Sequence, residues 1–158
     1  MAESVSFSEL QQRILSKRQS FNLLLLILKI ETSELLLQET ASRSGMAYVN
    51  VSLELSRQLR QQIIIHPREA AQTLDKMVRT FPDQLLILDR LEVLFTPTLQ
   101  LDVLRLLLDL GRSGRLIAIW PGEYQNTRLT YAMPGHPEYR EYEQPEKNFP
   151  VTILTLRR

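Results

Sequence analysis

Leu85-Leu86-Ile87-Leu88-Asp89 is an apolar run that stops on an acid. A short run with no polar face reads as a strand buried on both sides, the condition of strands in a parallel sheet. Phe21 to Leu28 (FNLLLLIL) is a second such run. Leucine is not among the strongest strand formers, so a buried helix stands there as an alternative. Ala47 to Val51 (AYVNV), Arg115 to Trp120 (RLIAIW) and Val151 to Leu156 (VTILTL) supply three further strands, with Gln84 opening the central one.

Helical signals fall between these runs. Ser6 and Glu9 have the spacing of a capping box, and Phe7, Leu10, Ile14 and Leu15 recur at helical intervals, so a helix is predicted over 7–19. Leu35 to Ser42 reads as a helix closed near Gly45, and Ser52-Leu53-Glu54-Leu55 opens another that ends in the polar run Arg60 to Gln62. Pro67 suits a first helical turn, with Ala70, Leu74, Met77 and Val78 following in period. Leu99 to Gly111 has the broadest apolar face, with Asp102, Arg105 and Asp109 on its narrow polar side. Strands alternating with helices predict an α/β fold with a parallel sheet of about five strands and right-handed crossovers. The first and third strands are the least polar and should be central. About thirty residues, 121–150, separate the last two strands; a stretch of this length is a functional loop or holds further elements.

The 158 residues suit one domain spanning 1–158. Nineteen basic and eighteen acidic residues leave a net charge of +1, which excludes a strong whole-molecule field for nucleic acid or anionic lipid. A 44% hydrophobic content excludes a disordered chain. With no cysteine there is no disulfide, thiolate metal site or cysteine nucleophile. The polar start, Met1 to Gln12, predicts no secretory signal, and the longest apolar run is far short of the ~20 residues of a membrane helix. A cytoplasmic protein is expected.

In open parallel sheets ligands bind beyond the carboxyl ends of the strands. Here that edge gathers Lys29 to Ser33, Asp89 to Glu92, and Trp120 onward. A buried strand ending in an aspartate is what a magnesium-nucleotide site uses to orient a metal-bound water, with Glu92 as a second acid. The structural alternative is an acid that caps the next turn. The phosphate half of such a site needs converging backbone N–H groups, hence glycines, then a lysine and a Ser/Thr. The segment after the first strand reads Lys29-Ile30-Glu31-Thr32-Ser33-Glu34, and no glycine occurs between Phe21 and Ser44. Lys29, Thr32 and Ser33 offer the right atoms in the wrong frame. Glu31 and Glu34 place carboxylates where a triphosphate would sit, and a plain N-capped turn at Thr32 or Ser33 is the simpler reading.

Several blocks resemble the BrxF family, the P-loop-containing proteins of BREX type 3 bacteriophage-exclusion systems. They are Tyr48 to Ser56 (YVNVSLELS), Leu86 to Phe95 (LILDRLEVLF), Leu104 to Leu110, Ala118-Ile119-Trp120, and Leu129 to Tyr142 (LTYAMPGHPEYREY). The likeness runs from about Leu23 to Tyr142, and the Pro134-Gly135-His136-Pro137-Glu138-Tyr139 block has no generic structural reason to recur. The resemblance implies a three-layer P-loop NTPase-like domain of the AAA-like division, acting as a subunit of a phage-defence complex, with Asp89 as the metal-side acid. Three departures share one sheet edge. The family's Gly-rich loop is replaced by Lys29 to Ser33; its Asn after the aspartate is Arg90; its Trp-Asn-Gly is Trp120-Pro121-Gly122. They imply a relative whose nucleotide site has decayed while fold and partner surfaces persist. On that reading no cofactor is expected.

The alternatives are a working ATPase, in which Lys29 contacts phosphate, Thr32 or Ser33 the magnesium and Asp89 the metal shell, and a nucleic-acid adaptor using 121–142. The tyrosines there could stack on bases, but Glu138, Glu141, Glu143 and Glu146 would repel phosphates. Trp120, Tyr131, His136 and Tyr139 are the candidate partner contacts. Expected partners are other phage-defence proteins, with a homo-oligomer as an alternative, nucleic acid only through the complex, and no membrane.

Overall fold

The computed structural model describes residues 3–15, 23–29, 34–59, 67–81, 84–112 and 115–157. In chain order the elements are β1 (Glu3–Val5), α1 (Phe7–Leu15), β2 (Leu23–Leu28), α2 (Glu34–Arg43), β3 (Ala47–Asn50), α3 (Val51–Leu59), α4 (Pro67–Arg79) and β4 (Leu86–Asp89). Two 3-10 turns, Leu91–Phe95 and Pro97–Leu99, lead to α5 (Val103–Gly111) and β5 (Leu116–Trp120). Then come β6 (Glu123–Gln125), β7 (Arg128–Tyr131), β8 (Arg140–Glu143), α6 (Pro145–Asn148) and β9 (Thr152–Leu156).

Six strands pair in the order β1-β9-β2-β5-β4-β3, every neighbour parallel. The alternating pleat of β2 explains its unbroken leucines. Leu23, Leu25 and Ile27 pack with Leu55, Leu74, Val103 and Leu107 of the helices on one face. Leu24 and Leu26 pack with Leu10 of α1 and with Leu37 and Ala41 of α2 on the other. Helices on both faces of a parallel sheet make a three-layer α/β arrangement. Leu25 is fully inaccessible, and truncating such a side chain to alanine costs about 2–5 kcal/mol.

Both strands expected to be central are interior: β2 lies between β9 and β5, and β4 between β5 and β3. The capping box forms as the spacing predicts, with Ser6 N–H donating to Glu9 Oε2 (2.6 Å) and Glu9 N–H to Ser6 Oγ (3.2 Å). Positions 16–19 of the predicted first helix, Phe21 of the first strand and the polar run 60–62 lie outside the described residues.

Two expectations need correction. The helix predicted from Leu99 starts at Val103, because Asp102 is its N-cap and accepts from Arg105 N–H (3.2 Å). The strand count exceeds five: β1 joins the edge of the main sheet, and a separate antiparallel sheet, β6-β7-β8, fills most of the 121–150 segment. Of the two readings of that segment, a functional loop or further elements, the structure shows the second. Tyr124, Leu129, Tyr131 and Tyr142 alternate with polar residues and turn toward the core, the period of a half-buried sheet. Among the described residues no helix is long and apolar enough to cross a membrane.

Candidate functional site

The carboxyl ends of β2, β5 and β4 bring Lys29, Trp120 and Asp89 to one edge of the sheet. The chain leaves β2 for the far strand β3, returns through β4 and β5, then passes to β9 on the other side of β2. A reversal of this kind opens a crevice above the strand ends.

Asp89 is only 6% exposed, and both its oxygens are engaged. Tyr48 O–H donates to Oδ2 at 2.5 Å, and Arg90 N–H donates to Oδ1 at 2.8 Å. Parallel register explains the first bond. Tyr48 stands opposite Ile87 and Asn50 opposite Asp89, so the Tyr48 ring lies one pleat back on the same face. The second bond goes with a left-handed backbone at Arg90 (φ 57°, ψ 57°), a conformation unfavourable for a residue with a Cβ. The Arg90 carbonyl accepts from Ser52 Oγ (2.7 Å), and Asn50 Oδ1 accepts from Leu53 N–H (3.0 Å) at the start of α3. The ends of β3 and β4 are thus tied into one polar knot. Among the described residues no buried side-chain polar atom lacks a partner.

The other candidates are spread around this edge. Lys29 is exposed, its backbone N–H reaching the Leu156 carbonyl (3.4 Å). Thr32 and Ser33 lie outside the described residues. Glu92 is exposed on the first 3-10 turn and faces Tyr131: burial, then the Glu138 and Glu92 carboxylates, hold the Tyr131 phenol above its usual range. No group of three or more acidic or histidine side chains placed to hold a metal occurs among the described residues.

Trp120 is buried, and its indole N–H donates to the Thr130 carbonyl (2.9 Å). Its ring meets Phe95 edge-on (5.5 Å) and Tyr142 edge-on (6.1 Å), while Phe95 stacks on Tyr131 (3.8 Å, 19°). These contacts bind the small sheet to the turn that follows β4. Trp120 and Tyr131 hold this junction together, whereas His136 and Tyr139 lie on the β7–β8 connection. His136 is exposed; its Nδ1 accepts from Glu138 N–H (3.0 Å) and its backbone bonds Met133 and Tyr139. Tyr139 is half-buried and donates to Glu141 Oε2 (2.7 Å).

Sequence reasoning missed Tyr48 and Phe95. Tyr48 falls within a quoted block, yet its meeting with Asp89 depends on β3 lying beside β4, and strand order is not written in local pattern. Comparison with family models, curated proteins and solved structures found no match.

Proposed function

We propose that this chain is a P-loop NTPase-type domain whose nucleotide site has decayed, serving by assembly as a subunit of a phage-defence system of the BREX type 3 kind. One observation carries the first half: the buried carboxylate of Asp89 is held by Tyr48 O–H and Arg90 N–H. In the resemblance this aspartate is the metal-side acid. Here its two bonds fasten β4 to β3 and support a left-handed turn, a task that needs no metal. The strand reversal at β2 supports a nucleotide-type ancestry, and the glycine-free segment after β2 supports its loss. The defence-system context rests on the sequence blocks alone.

Calorimetric titration with ATP and magnesium tests the reading. Affinity no tighter than about 1 mM, weaker than roughly −4.1 kcal/mol, is expected. Micromolar affinity that falls when Lys29 becomes alanine would instead establish the working-ATPase alternative.

A further inference from the structure

β8 is an outer strand of the small sheet, and the pairing determines which of its groups face away from that sheet. Gln144 N–H donates to the Thr127 carbonyl (2.7 Å), so Leu129 with Tyr142 and Tyr131 with Arg140 are the hydrogen-bonded pairs of the ladder. Glu141 and Glu143 therefore turn their backbone groups away from β7. The Glu143 carbonyl accepts from Asn148 Nδ2 (3.1 Å). Glu141 N–H, Glu141 C=O and Glu143 N–H remain on the outer side. A groove of about 460 Å³ runs between β8 and the 97–102 segment, with Pro97, Leu101 and Asp102 on its far wall, and Tyr142 O–H bridges the two by donating to Asp102 Oδ1 (2.8 Å).

Charge selects the occupant. Arg128 on β7 holds Glu141 (2.8 Å) and Glu143 (3.3 Å) from one side. A strand added to β8 would set its side chains beside the same two carboxylates from the other. A second copy of β8 in a same-face antiparallel register puts Glu141 opposite Glu143, or one of them opposite itself. Like charges directly opposite are destabilising. Lysine or arginine at those positions would continue the acid–base alternation that β7 and β8 already show.

The geometry points to β8 as a strand-addition site for an extended partner segment with lysine or arginine at alternate positions. The inference rests on the assembly reading and names a docking edge for it. The test uses the full chain and two fluorescent hexapeptide pools, Lys and Glu respectively alternating with mixed apolar residues, read by anisotropy at about 50 mM salt. The lysine pool should bind about tenfold tighter than the glutamate pool, the worth of one or two cross-strand ion pairs. The double charge reversal E141K/E143K should invert that preference. Glu141→Pro removes an outward N–H, a change an edge strand tolerates, and should abolish binding with Trp120 emission unchanged. Should that variant misfold, a lysine pool N-methylated at alternate amides reads the same backbone bonds and should not bind. Equal binding of both pools, binding indifferent to proline or N-methylation, or no binding at about 1 mM would overturn the proposal. None of these outcomes depends on nucleotide, so the two readings fail separately.

Discussion

Replacing Asp89 by alanine is expected to destabilise the protein, and the sign of the change is the informative part. The substitution leaves Tyr48 O–H and Arg90 N–H without their acceptor. Hydrogen bonds to a charged group contribute about 1.5–3 kcal/mol each, so the two together are worth roughly 3–6 kcal/mol. Relief from holding a carboxylate at 6% exposure offsets part of this, leaving a net loss of about 2–4 kcal/mol. For a chain of this size that lowers Tm by roughly 4–16 °C. Urea unfolding followed by Trp120, the single tryptophan, gives the measurement. Tyr48→Phe should cost about 1–2 kcal/mol, and the double mutant less than the sum, because the two residues share one bond. An aspartate kept for a metal behaves oppositely. Without its cation it is an unrelieved buried charge, and alanine would leave the apo protein as stable or more so. That outcome would refute the structural role assigned to Asp89.

Gly122→Ala should be among the costlier single-methyl changes, because a Cβ there would stand 1.8 Å from the Thr130 carbonyl oxygen. Expelling that carbonyl breaks its bond to the Trp120 indole, so a loss of about 2–4 kcal/mol and a red-shifted tryptophan emission are expected. Burial, then the hydrogen bond to Asp102, pushes the Tyr142 phenol far above its usual value near 10. A raised folded pKa gives stability that is complete below the unfolded value and lost as pH rises above it. Unfolding free energy should therefore fall above about pH 10, and Tyr142→Phe should flatten that fall; ultraviolet titration should show one tyrosine ionising only as the protein unfolds.

The main sheet was legible because its strands are buried on both faces. LLLLIL and LIAIW leave no polar side for water, and their carboxyl ends fall at the expected residues, Leu28 and Trp120. The small sheet was hidden by brevity. EYQ, RLTY and REYE each show alternation over three or four residues, too few to separate from a tyrosine-rich loop. Asp102 misled for a different reason: spacing alone places it on the polar side of a helix, whereas its bond to Arg105 N–H makes it the first residue outside one. At the sheet edge the residue types around Asp89 could be read, but not their partners. The Tyr48 bond joins residues forty-one apart and exists only because β3 and β4 are neighbours.

The position of β9 has a consequence for how the chain matures on the ribosome. It lies between β1 and β2 and pairs with both, and among the described residues it is the only strand beside β1. A nascent chain can assemble β2 through β5 early. Until residues 152–156 have been made, one flank of β2 stays an open row of donors and acceptors, the template on which misassembly begins. β9 acts as a latch: once those residues emerge, that flank of β2 is covered and β1 gains its own neighbour.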